Sequence, residues 1–360
     1  MLFQSNETAR STTNYATRVA RRILWSSLAL APIAFFARYV LHADATTLFV
    51  ISGLALIPLA WVIGEATDQA AEHTGAGVGG FLNASFGNAP EVIIALFAIA
   101  DGLPEVVRGS LTGSVVSNIL LVLGAAMIAG GDGEVDTRSL RLQLITVLGA
   151  VALLLIPSVP AWRGTLDHEQ RYLLTIPVAI ILLATYLVIT VRNLRIHREQ
   201  ERRAPRAGAW SLRRALILLA IATVTTAGIS EILVHSLVGF GNTLGLSEFF
   251  IATVIVAIVG NAAEHGGAVV IAHRGNIKLA TEIAISSSMQ VAVFVTPAIA
   301  LISPLVGTSL PLSFRVVEIA TMAAAAALAT VVIWDGRSRR WEGFLLVALY
   351  GGAVAIYAAV

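Results

Sequence analysis

Cysteine is absent from the sequence, which excludes disulfides and thiolate metal sites outright. Charge is scarce: 13% of the 360 residues are Asp, Glu, Lys or Arg, against roughly 25% in a soluble domain. No soluble domain is therefore present to carry the basic face that nucleic-acid binding needs. The net charge of +2 reads as arginines placed at helix ends. Alternating segments of about ten residues, the mark of barrel strands, are missing as well. An enzymatic nucleophile–base pair is equally hard to find. His265 beside Glu264 is the nearest approach, and no cysteine or glycine-framed serine accompanies it.

What fills the chain is hydrocarbon. Hydrophobic residues make up 57% and the mean hydropathy is +0.82. Apolar runs of about 20 residues, the length an α-helix needs to cross a bilayer core, recur from end to end. The fold class expected is an all-α polytopic membrane protein. Residues 1–20 are polar and aperiodic and are expected to be disordered. Ala43-Asp44-Ala45 resembles a signal-peptidase site, but the preceding run is long and interrupted by Arg38, so a retained N-terminal helix over 21–41 is expected. Further spans are expected near 47–71, 77–101, 105–130, 139–160, 169–192, 212–240, 248–273, 277–303, 313–334 and 342–359, eleven in all with the first. The stretches Val191–Arg206 and Asp335–Trp341 and the N-terminus are basic, whereas Gly241–Glu248 has no basic residue. Counting spans puts the basic segments on one side. A cytoplasmic N-terminus, a C-terminus on the far side and insertion in the plasma membrane follow as expectations.

The chain also repeats itself. "GNAPE" at 87–91 and "GNAAE" at 260–264 lie 173 residues apart, and "GSVVSN" at 113–118 keeps that offset from "SSSMQV" at 286–291. Matching helices are five spans apart, an odd number, so the two copies must point in opposite directions. Two inverted five-helix repeats, 47–192 and 212–360, are expected around a basic linker at 193–211, with the substrate site at their interface near the midplane.

Glu91 and Glu264 fall near the centres of their spans, where a carboxylate costs ~2.5–3.5 kcal/mol and needs a partner or a proton. Asn88 and Asn261 stand three residues earlier on the same helix faces, and His265 lies four residues beyond Asn261. Gly87 and Gly260 permit local unwinding, and Pro90 is expected to leave the Phe86 carbonyl without its helical partner. Carbonyls, an amide oxygen and a carboxylate together suit a hard cation such as Ca²⁺. Ser114, Asn118, Ser287 and Gln290 supply further polar atoms at mid-depth on neighbouring spans. Asp68 and Glu231 are candidates for guiding protons or cations toward the centre, and Glu65 is a weaker one. His235, His273 and Glu282 read as solvated or paired near helix ends, and Arg108 as a local salt link with Asp101 or Glu105.

At these residues the sequence resembles a family. Phe81–Gly124 and Gly260–Ser303 are similar to the two α-repeats of the cation/proton exchangers, the Ca²⁺/H⁺ antiporter branch of the cation/calcium exchanger superfamily, and Leu54–Asp68 resembles the helix before the first repeat. The resemblance implies ten core helices plus the N-terminal one, with Ca²⁺ as transported substrate between Glu91 and Glu264. No resident cofactor is implied, and the partners are Ca²⁺, H⁺ and the lipid bilayer. Asn88, Asn261, Ser114, Asn118, Ser287, Gln290 and His265 fall on family motif positions, with His265 in a proton-coupling role. Glu231 matches a family acidic position, and Asp68 stands where Glu is usual. Ser286 and Ser117 replace glycines of the family pattern, Glu282 stands at an apolar position, and the linker is basic where many members are acidic. Two carboxylates carry a charge of −2, which one Ca²⁺ or two protons can neutralise, so alternating access limited to the neutralised site would be antiport. A Na⁺/Ca²⁺ exchanger of the same superfamily is the alternative, although its usual "G-T/S-S-x-P-E" form is absent here.

Overall fold

Asp44 starts the longest helix. Its carboxylate accepts the Thr47 amide at 3.0 Å and the Thr47 hydroxyl at 2.6 Å, satisfying donors that a helix start leaves orphaned. The computed structural model describes residues 22–197 and 210–360, without the side chains of 75–81, 83–84 and 193–197. The expected disordered terminus at 1–20 and most of the linker at 193–211 therefore lie outside the described residues.

The elements, in chain order, are α1 (Leu30–Tyr39), α2 (Ala45–Gly87), α3 (Ala89–Ala100), α4 (Pro104–Gly130), β1 (Gly133–Glu134), α5 (Thr137–Trp162), α6 (His168–His197), α7 (Leu212–Leu244), α8 (Glu248–Gly260), α9 (Ala262–His273), α10 (Ile277–Val306), α11 (Val316–Val332), β2 (Arg337–Ser338) and α12 (Arg340–Ala358). The all-helical polytopic class holds. Among the described residues seven helices are long and apolar enough to cross a membrane, or eight if the bent pair α8–α9 is one span, so the expected eleven are not reached. Helical hydrogen bonding runs through 72–76, where a loop between two spans was expected, and breaks instead at Asn88. The last apolar segment before β2 is a helix of only 17 residues, α11, about 26 Å long.

Contacts between loops sort the helix ends into two groups. At one end His235 pairs with Asp101 at 3.1 Å, Arg315 with Glu105 at 2.6 Å, and Trp162 Nε1 donates to the Phe314 carbonyl at 2.7 Å. At the other, β1 pairs antiparallel with β2, the Arg340 amide donates to Asp132 at 3.2 Å, and Lys278 reaches Asp136 at 3.3 Å. Along the chain these contacts alternate, so α4, α5, α10 and α11 each run from one end to the other.

Between the ends the helices approach through small residues, since lipid tails provide no hydrophobic drive for association and close van der Waals contact must do the work. Ala31, Ala34 and Ala37 bury the inner face of α1, and the Phe35 ring lies 2.6 Å from where a Cβ on Gly228 of α7 would stand. On α4 and α12, a Cβ at Gly124 would lie 2.8 Å from the Gly343 carbonyl, and one at Gly343 would lie 2.6 Å from the Gly124 carbonyl.

The 173-residue repeat is written in the backbone. Asn88 has φ −98°, ψ 15°, and Asn261 has φ −97°, ψ 7°. Each is followed by a 12-residue helix, α3 or α9. Those helices close on Asp101 (φ −81°, ψ 1°) and Arg274 (φ −81°, ψ 9°), then turn through Gly102 (φ 72°) and Gly275 (φ 85°). The next helices both widen into π-turns, Ser117–Val122 in α4 and Val291–Val295 in α10. Such widenings recur at functional sites.

Candidate functional site

Both helix breaks fall on an asparagine in the sparsely occupied bridge region of backbone space, preceded by a glycine. α8 and α9 meet at 58° across Asn261. The proline is not what makes the break. Pro90 sits in the first turn of α3, where its missing N–H costs nothing, and Ala263 holds the same place in the second copy. Nor is the Phe86 carbonyl left over as expected, because the Asn88 amide turns back onto it.

The breaks aim one carboxylate from each half at the same place. Glu91 and Glu264 occupy the first turns of α3 and α9. Glu91 is 9% exposed, and its side chain lies against the bare α-carbon of Gly260: a Cβ there would stand 3.5 Å from Glu91 Cγ. Glu91 of the first copy thus reaches the break that precedes Glu264 in the second.

The polar residues around them form cross-braces between the repeats. Asn88 Nδ2 donates to Gln290 Oε1 at 2.9 Å, and Asn261 Nδ2 donates to Ser114 Oγ at 2.8 Å, so each broken helix is tied to the opposite half. A third tie joins the π-turn of α4 to α10: Asn118 Nδ2 donates to Ser287 Oγ at 3.0 Å. His265 Nε2 lies 2.9 Å from Asn118 Oδ1, which can only accept, so the ring nitrogen carries the proton. Ser287 Oγ is thereby held by Asn118.

After these bonds are made, Glu91 Oε2, Glu264 Oε2 and Asn261 Oδ1 remain buried with no donor among the described residues. Buried acceptors without donors are costly, and three on one site form an oxygen set that a hard cation would satisfy. Among the described residues no group of three or more His, Cys, Asp or Glu could hold a metal ion. The arrangement offers two carboxylates with neutral oxygens.

Other sequence candidates lie apart from this cluster. Asp68 is exposed on α2, flanked by Glu65 and Glu72, whose charges act on it. Glu231 is half-buried on α7, one turn before His235, whose ring meets its carbonyl at 3.0 Å. Arg108 does pair with Glu105, at 2.5 Å, and Glu105 also holds Arg315. Glu282 is bound by Ser139 at 3.1 Å and Gln143 at 2.8 Å. The sequence reading passed over Glu318, which is 1% exposed and accepts from the Arg315 amide and from Thr112. A carboxylate at the start of an apolar helix, three residues after an arginine, was the available signal. It also passed over Thr226 and Ser230, whose buried hydroxyls have no partner among the described residues. No spacing rule singles them out.

The chain matches the sequence profile described as sodium/calcium exchanger protein over residues 45–195 and 214–358. It is 36% identical over 326 residues to the Ca(2+)/H(+) antiporter ChaA of Bacillus subtilis, an alignment covering 86% of this chain and 92% of that one. It is 32% identical over 354 residues to the Ca(2+)/H(+) antiporter of Aphanothece halophytica, covering 91% and 94%. The solved structure of native YfkE superposes with a TM-score of 0.81 at 32% identity, covering 94% of this chain and all of that one. Two breaks, two carboxylates and the long matches on either side of the linker converge: the chain belongs to the sodium/calcium exchanger protein family.

Proposed function

We propose that this multi-pass membrane protein is a secondary active antiporter that exchanges one Ca²⁺, or a similar divalent cation, for two protons. The observation that carries the reading is Glu91 packed against Gly260, at the repeat-related break that precedes Glu264, with three buried oxygens left without donors. Two like charges in a low-dielectric site cannot be occluded empty at acceptable cost. One divalent cation or two protons remove that cost equally, so the site changes sides only when loaded with either. Asn261 supplies a neutral oxygen from its break, Asn88 is held beside it by Gln290, and Ser114, Asn118 and Ser287 hold the frame. The names of the relatives, Ca(2+)/H(+) antiporters, support protons as the counter-ion. We place it in the plasma membrane, and the arginine bias supports a cytoplasmic N-terminus, with the end carrying Asp132, Lys278 and Arg340 facing the cytoplasm. The inverted halves support alternating access by α2–α3 and α8–α9 moving against the remaining helices.

Purified protein in liposomes under an imposed pH gradient should take up ⁴⁵Ca²⁺, and a Na⁺ gradient in its place should not drive uptake. Glu91→Gln or Glu264→Gln should each abolish exchange. Proton-driven flux that survives either change removes the proposal, and flux driven by Na⁺ alone selects a Na⁺/Ca²⁺ exchanger.

A further inference from the structure

The repeat is faithful in backbone but unequal in one contact. α4 meets α8 through Gly113, where an added Cβ would lie 1.9 Å from the Thr253 carbonyl oxygen and 2.7 Å from Ala257 Cβ. Two turns of helix thus touch main chain to main chain, which is possible only because residue 113 has no side chain. One turn earlier, a Cβ on Gly109 would meet Thr253 Oγ1 at 2.9 Å and Ala252 Cβ at 3.0 Å. The contact sits between the central carboxylates and the end carrying Glu105 and Arg315.

The offset of 173 relates Ser286 to Gly113, Glu282 to Gly109, and Gly79 and Gly80 to Ala252 and Thr253. In sequence, the second copy thus lacks the side chains that crowd position 109 first, as a residue larger than glycine at 282 requires. It does not lack the main-chain carbonyl that crowds position 113, since every residue carries one. Glu282 adds a further tie, its carboxylate being held on α5 by Ser139 and Gln143.

Resting on the alternating-access reading above, in which each half takes in turn the arrangement of the other, we propose that Gly113 and Ser286 are unequal positioning residues for the two gates. The end carrying Glu105 and Arg315 closes by backbone contact. The end carrying Lys278 and Glu282 closes only to the distance a serine Cβ allows. The protein therefore favours the state sealed toward Glu105 and Arg315 and open toward Lys278 and Glu282.

The cysteine-free chain permits a direct test. Spin labels on Leu103→Cys with Ser247→Cys report one gate, and labels on the repeat-related pair Thr74→Cys with Asn276→Cys report the other. Distances are measured by pulsed electron resonance in nanodiscs, and the same preparation is assayed for proton-driven Ca²⁺ flux. The 103–247 distances should be short and narrow and the 74–276 distances longer and broad. Ser286→Gly, which only removes atoms, should raise the short 74–276 population by about threefold and add a long 103–247 population. Gly113→Ser should also lengthen the 103–247 distances. If Ser286→Gly leaves both distributions unchanged in protein that still exchanges Ca²⁺ for protons, the gate inference is wrong and the antiport reading stands. If no proton-coupled flux is found in any preparation, the antiport reading fails and takes this inference with it.

Discussion

Asn118 donates to Ser287 across the two halves at 3.0 Å, and this bond gives the centre of the protein a direction. The chain runs from His265 to Asn118 to Ser287, each step fixing which atom donates at the next. Only one half has it. The counterparts of His265 and Asn118 at the 173-residue offset are Val92 and Val291, so the other copy cannot form it. The pseudo-symmetric site is therefore chemically lopsided. His265 enters it as the first donor of a chain that ends on Ser287.

Removing the middle of that chain should weaken cation binding without dismantling the fold. Asn118→Ala leaves Ser287 free to turn its proton elsewhere and leaves the His265 N–H without its acceptor. Loss of supporting partners around a metal ligand typically lowers affinity by roughly 10–100-fold, and that is the rise expected in half-saturating Ca²⁺ for flux. With Asn118 intact, His265→Gln, whose amide can still donate to it, should keep most of the wild-type affinity, while His265→Leu should not. Equal behaviour of the two His265 variants would show that the donor at this position is unimportant.

Close backbone approach predicts a second outcome. A side chain at Gly343 would run into the Gly124 carbonyl at 2.6 Å, whereas Gly351, two turns along the same helix α12, has nothing within 4 Å. Gly343→Val should cost about 1–3 kcal/mol through overpacking. Gly351→Ala should be neutral or stabilising by about 0.4–1 kcal/mol, since it restricts the unfolded chain and improves helix propensity. Thermal unfolding of both variants in one detergent checks the contrast, and similar midpoints would refute the packing account.

Outside the bilayer, Asp136 caps α5. The Ser139 amide it accepts and the nearby Lys278 ammonium hold its carboxyl below the usual range. A depressed folded-state value means that its stabilisation is present above the ordinary carboxylate pKa and is lost as pH falls through the lower folded value. At neutral pH Asp136→Ala should cost ~1 kcal/mol for the lost cap, and Asp136→Asn, which keeps an acceptor, should cost less. The exposed pair with Lys278 adds little. Melting curves at neutral pH should separate the three proteins. As pH falls through the carboxylate range, wild type should lose its advantage over Asp136→Asn, and an advantage unchanged by acid would exclude an ionic contribution.

The sequence carried the site further than it carried the helix count. Glu91, Glu264, Asn88, Asn261, Ser114, Asn118, Ser287 and Gln290 were legible because a polar side chain in hydrocarbon must have a purpose, and because a repeat offset names its partners. The boundary at 72–76 was not, since a short polar stretch, Glu72-His73-Thr74, followed by a glycine reads as a loop while local hydrogen bonding keeps it helical. Likewise, hydropathy cannot separate a 17-residue helix such as α11 from a longer one with a polar end. Gly113 carried no signal of its own, because whether a glycine faces lipid or another backbone depends on a helix 140 residues away.

Pro90 is where the two levels disagree most usefully. Proline in an apolar helix reads as the agent of the break, yet Asn261 adopts the same dihedral angles as Asn88 with Ala263 in the proline's place. What the two breaks share is a glycine followed by an asparagine whose amide reaches the other half, Asn88 to Gln290 and Asn261 to Ser114. If that pairing sets the break, Pro90→Ala should exchange Ca²⁺ within about threefold of wild type, since a proline in the first turn contributes only pre-organisation. Asn88→Leu should lose flux by roughly 100-fold or more, because it removes both the cross-brace and a residue type tolerant of the bridge conformation. Rates of ⁴⁵Ca²⁺ uptake under a pH gradient, normalised to protein inserted, decide between the two causes. A Pro90→Ala protein as inactive as Asn88→Leu would return the break to the proline.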